Sequence, residues 1–144
     1  MLFYDFDCGT DGGIPIINDK GALAHEIIKS VKPDKSTANE FNKIIGLHSS
    51  YGSSQAACFE PHLGVVYYKR GKAVASINIC TSCNILKSSL PITAMHQGAA
   101  YGEGSGAYYT QAGMSKILRA YLNSQIARYH LSHPAKEIDF YDQK

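Results

Sequence analysis

The sequence predicts a single α+β domain spanning residues 1–144, on three observations. Two β-branched, aromatic-rich segments flank Arg70-Gly71 as a hairpin, amphipathic helical stripes lie outside it, and no repeating strand–helix alternation is present. A chain of 144 residues with 44% hydrophobic content is long enough to bury a core without cross-links.

In chain order, Leu2–Phe6 has the aromatic content of a short strand, and the glycines that follow mark a loop. Asn18 or Asp19 can cap a helix near 20–31, with Leu23, Ile27, Ile28 and Val31 on one face and Pro33 ending it. Thr37-x-x-Glu40 reads as a capping box ahead of Phe41, Ile44 and Ile45, giving a second helix over 36–45 that Gly46 ends in a left-handed conformation. The hairpin occupies 63–79 as an antiparallel pair at the centre of a small sheet. From Ser88 to Gly106, Pro91 and four glycines interrupt any period, which predicts a long loop, and the glycine-rich segment 98–113, which overlaps it, also reads as loop. Leu118, Tyr121, Leu122, Ile126 and Tyr129 form one stripe of a third helix over 115–131, closed by Pro134. Ile138–Tyr141 can add an edge strand.

Charge is nearly balanced, 14 basic residues against 12 acidic, and the basic ones are scattered, so nothing predicts nucleic-acid binding. No apolar run approaches the ~20 residues of a membrane span, and the first residues lack the pattern of a signal peptide, although a leader removed earlier leaves the compartment open.

The chemistry concentrates at the open end of the hairpin, where Cys58 and His62 precede the first strand and Cys80 and Cys83 follow the second. With a three-residue turn, Lys69 faces Ala73, paired numbers sum to 142, and His62 lies opposite Cys80 on one face. A two-residue turn shifts the sum to 141 and places them on opposite faces. The pattern C-x3-H-x17-C-x2-C offers four sulfur and imidazole donors, the set that tetrahedral zinc prefers. The expectation is therefore a structural zinc site of Cys58, His62, Cys80 and Cys83 in a non-catalytic domain that binds an unidentified protein partner. The alternative is a disulfide among Cys58, Cys80 and Cys83 in a cell-envelope binding protein, since a disulfide needs an oxidising compartment whereas the zinc form suits the cytoplasm. A thioredoxin-like reading of Cys80-x-x-Cys83 fails because Pro91 shortens the following segment and no βαβ unit surrounds it. Cys58 as a nucleophile with His62, His96 or His130 as base ranks last.

These segments resemble a set of small bacterial proteins of unassigned function, several of them lipoproteins, that share C-F-x-P-x-x-G before the hairpin and I-C-x-x-C after it. Here those motifs are Cys58–Gly64 and Ile79–Cys83, and the likeness extends to Gly113-Met114-Ser115. It implies that these positions form a unit and that an envelope location stays open; it implies no activity. Asp5-Phe6-Asp7-Cys8-Gly9-Thr10 is similar to the D-x-D-G-T motif of haloacid-dehalogenase-type phosphatases, but carries one inserted residue, and Asp7, Asp11 and Gly12 lack the closing glutamate of a calcium loop. Asp5, Asp7 and Asp11 therefore read as a solvated turn. Gly102–Gly106 lacks the lysine of a phosphate cradle. Paired tyrosines at 67–68 and 108–109 read as half-buried packing residues.

Overall fold

A computed structural model describes residues 1–10, 12–101, 108–135 and 140–142. Among the described residues, nine strands run in the order β1 (Leu2–Asp7), β2 (Glu26–Val31), β3 (Tyr51–Ser53), β4 (Leu63–Lys69), β5 (Lys72–Cys80), β6 (Ile85–Ser88), β7 (His96–Tyr101), β8 (Tyr108–Gln111) and β9 (Gly113–Met114), with helices α1 (Lys35–Ile45) and α2 (Lys116–Tyr129). The main sheet is antiparallel throughout, in the order β2-β1-β4-β5-β6, and β3–β9 and β7–β8 form two small pairs. The fold is thus α+β and built around the expected hairpin.

Among the described residues, two helices pack on it rather than the three expected. Segment 26–31 is strand β2, in which Ile27, Lys29 and Val31 are half-buried and Glu26, Ile28 and Ser30 are exposed, and Val31 pairs with Phe3. An edge-strand alternation overrode the helical spacing, because Ile27, Ile28 and Val31 are β-branched and an unpaired β1 edge was available to them. Asn18 does cap backbone N–H groups, but in a turn: its side-chain oxygen accepts from Lys20 and Ala22 at 2.9 and 3.0 Å.

Helix α1 starts earlier than the capping box implies. Asp34 is the N-cap, its Oδ1 accepting from Thr37 N at 2.7 Å, and Thr37 is buried inside the first turn. Gly46 ends the helix at φ −87°, in a right-handed rather than a left-handed conformation. Helix α2 is capped by Ser115 and closed by His130 at φ 52°. The loop expected from 88 to 106 contains β7, which pairs with β8; 102–107 lie outside the described residues, as does 136–139 of the expected edge strand, and Phe140–Asp142 form a 3-10 turn.

Both sheet faces are covered. Phe3, Val65, Ile77, Ile79 and Leu86 meet Phe41, Ile45, Leu118, Leu122 and Ile126 on the helical side. On the other, Tyr4, Phe6, Cys8 and Val66 pack against Ile16 of the long β1–β2 connection. A Cβ at Gly64 would lie 2.4 Å from Ile16 Cδ1, so the missing side chain is what lets Ile16 lie down on the sheet.

The turn and register of the hairpin combine both expectations. Arg70 (φ 52°) and Gly71 (φ 77°) make a two-residue turn with Lys69 opposite Lys72. A bulge between Tyr67 and Tyr68 then adds one residue, so Tyr67 faces Ala75 and Leu63 faces Ile79. Beyond the bulge the paired numbers sum to 142, which points the positions of His62 and Cys80 to the same face.

Candidate metal centre and disulfide at one end of the sheet

Strand β1 pairs with β4 so that Asp5 lies opposite Leu63, which carries the end of β1 past the start of β4. Phe6 N donates to His62 O at 3.1 Å, extending that ladder by one step. The His62 ring returns to the same residue, with Nδ1 3.1 Å from Phe6 O. A carbonyl only accepts, so Nδ1 carries the hydrogen, which leaves Nε2 as the ring nitrogen that can offer a lone pair to a metal. That nitrogen lies 3.8 Å from Cys8 Sγ.

Asp7 completes the group. Its Oδ1 accepts from Gly9 N at 2.8 Å, turning the chain directly after β1. One carboxylate oxygen of Asp7, Cys8 Sγ and one His62 nitrogen all lie within 4.8 Å of one another, a donor cluster able to hold a metal ion. Cys8 is 5% exposed, His62 intermediate and Asp7 exposed, so the group spans from interior to solvent. An open cleft lined by Asp7, Cys8, Gly9, Ile14, His25 and Glu26 reaches it from the solvent side.

Burial, and then the nearby Asp7 and Glu60 carboxylates, push the Cys8 thiol above its ordinary pKa. The thiol is therefore protonated at neutral pH, and a cation among these groups would favour its thiolate instead. Behind the cluster, the His133 ring stacks on His62 at 3.9 Å between centroids and 12° between planes. His133 Nδ1 is 3.9 Å from Oδ1 of buried Asp5, whose Oδ2 accepts from Ser132 N at 2.7 Å. Thr81 Oγ1 donates to His133 O at 2.7 Å, which ties the segment after α2 to the β5–β6 turn.

The four residues singled out at the hairpin do not meet at one point in this structure. Cys58 and Cys83 are joined in a disulfide, their Cα atoms 5.7 Å apart, and a sulfur so bonded has no thiolate to give a metal. Cys80 is a free, buried thiol whose Sγ accepts from Glu60 N at 3.4 Å and Cys83 N at 3.3 Å. His62 turns instead toward Cys8. The C-F-x-P segment is anchored by Lys87 Nζ 3.8 Å over the Phe59 ring, by buried Pro61, and by Ala56 N donating to Cys83 O at 3.0 Å.

Sequence reasoning missed Asp7 and Cys8 because 54 positions separate Cys8 from His62 and no short chelating spacing links them. Their proximity follows from the β1–β4 pairing, for which the only local signal is the strand-like run Leu2–Phe6. His96 begins β7, and His130 is the left-handed cap of α2. Among the described residues, no helix is long and apolar enough to cross a membrane. Comparison with protein-family models, curated proteins and solved structures finds no match. The fold and this end of the sheet define an α+β domain with a Cys/His/Asp cluster able to hold a metal ion beside a disulfide.

Proposed function

We propose that this chain is a zinc-binding domain of an oxidising compartment such as the cell envelope, in which Asp7, Cys8 and His62 hold the ion and a fourth position opens to the cleft. The carrying observation is the convergence of one carboxylate, one thiol and one imidazole within 4.8 Å. Sulfur and imidazole donors favour zinc over calcium or magnesium, which take oxygen ligands. The Nδ1–H bond from His62 to a backbone carbonyl is the outer contact that orients an imidazole toward a metal. Three protein ligands with one side open suit a domain that captures a donor group of a partner or small ligand at the ion. The Cys58–Cys83 disulfide supports the oxidising compartment.

Calorimetric zinc titration of disulfide-intact protein tests this reading. One site per chain is expected, lost in Cys8→Ser and in His62→Ala and retained when Cys58 and Cys83 are both replaced by serine. Binding that survives Cys8→Ser, or that requires reduction and then depends on Cys58 and Cys83, overturns it in favour of the hairpin ligand set.

A further inference from the structure

Three cysteines at the hairpin end share one small space, and only two are bonded. Residues 81–84 form the turn between β5 and β6, where Cys80 pairs with Ile85. The Ser82 hydroxyl is within reach of two sulfurs, 3.3 Å from Cys80 Sγ and 3.8 Å from Cys83 Sγ, while Cys83 N donates to Cys80 Sγ at 3.3 Å. A free thiol thus lies beside an existing disulfide, held there by two backbone N–H groups and a hydroxyl. Exposure differs sharply along the set. Cys80 and Cys83 are 0% exposed, whereas Cys58 lies on an exposed loop.

We propose that Cys80 exchanges into the Cys58–Cys83 disulfide, forming a Cys80–Cys83 bond and releasing Cys58 as a surface thiol, so that this end of the sheet is a three-cysteine thiol–disulfide relay. Cys80, as thiolate, attacks Cys83 Sγ, and the Cys83–Cys58 bond breaks with its electron pair leaving on Cys58. The proton lost by Cys80 ends on Cys58, so atoms and electrons balance with no outside oxidant or reductant. Direction follows from solvation. Attack on Cys83 expels a sulfur that water can solvate, whereas attack on Cys58 would expel the buried sulfur of Cys83. The product carries its disulfide inside and its thiol outside, the arrangement needed to form a mixed disulfide with a partner protein. The relay uses neither Asp7 nor His62 and stands independently of the zinc reading.

Trypsin separates the two isomers. In the starting form, peptides 44–69 and 73–87 are cross-linked through Cys58 and Cys83; after exchange, 73–87 carries its own disulfide and is two hydrogens lighter, and Cys58 in 44–69 is free. The experiment uses full-length Cys8→Ser protein, disulfide-intact and zinc-free, incubated anaerobically without reductant at mildly alkaline pH and labelled natively with iodoacetamide. Label accumulating on Cys58 together with the lighter 73–87 peptide, at a rate independent of protein concentration, is expected. Ser82→Ala should slow that rate several-fold, and Cys80→Ser should abolish it. Persistence of the cross-linked pair with Cys58 unlabelled after days, label on Cys83 instead, or a rate proportional to protein concentration overturns the proposal. The concentration dependence is measured on the Cys8→Ser protein itself, so the test holds even where Cys80→Ser folds poorly.

Discussion

Reducing the Cys58–Cys83 disulfide should lower the melting temperature by roughly 7–14 °C. The bond joins residues 25 apart, and the chain-entropy relation for a loop of that length gives about 3.5 kcal/mol of stabilisation. For a domain of this size each kcal/mol moves the melting point by roughly 2–4 °C, from which that range follows. The closed loop contains the whole of the paired strands β4 and β5, and the bond ties the tether of 54–62 to the β5–β6 turn; the full entropic value applies because in the unfolded chain nothing else closes that loop. Native contacts of that tether persist without the bond, since Ala56 N still reaches Cys83 O and Lys87 still covers Phe59. The assay is thermal unfolding by circular dichroism, oxidised against phosphine-reduced protein, with chelator in both arms so that metal contributes nothing. A drop under about 2 °C would refute the reasoning, because it would mean that the cross-link removes little entropy from the unfolded chain.

Zinc at about a hundred times its dissociation constant should stabilise the oxidised protein by about 2.7 kcal/mol, read as a shift in urea midpoint that Cys8→Ser abolishes; an equal shift in that variant argues against the cluster. The Thr37 amide holds the Asp34 carboxyl below its ordinary pKa. Because the folded value is the lower one, the cap's contribution is fully present above about pH 4, the unfolded carboxylate range, and is lost as pH falls through the folded value. Carboxyl-carbon NMR titration should show this depressed midpoint, and an ordinary midpoint would mean that the cap contributes nothing. Gly64→Ala should cost about 1–3 kcal/mol, since its Cβ meets the movable end of Ile16. Gly113→Ala should cost more in the same denaturant assay, because its Cβ would lie 2.5 Å from Ser54 O and 2.8 Å from Ser53 O, backbone atoms at and just after the end of β3 that cannot rotate away. A neutral Gly113→Ala contradicts that pairing.

Local signals in the chain determined the pieces whose causes are local. Arg70-Gly71 between apolar strands made the hairpin, Ser115 and the Leu118–Leu122–Ile126 stripe made α2, and the Thr37–Ile45 region made α1 with its start misplaced, because Asp34 competes for the same cap. Segment 26–31 carried helical and strand spacing at once, and only the free edge of β1 decided between them. At the site, spacing alone drew Cys58, Cys80 and Cys83 to one end of the hairpin, and the structure confines them there. Which of them bond was settled by a bulge that resets the register and by the β5–β6 turn that presents Cys83 to the exposed loop while burying Cys80. The partners of His62 lay further still from sequence reasoning. Cys8 and the Phe6 carbonyl reach it across 54 and 56 positions through the pairing of β1 with β4, and Asp7 comes with them. Such non-local contacts leave no trace in local composition, because what specifies them is the competition among all strands for the same core.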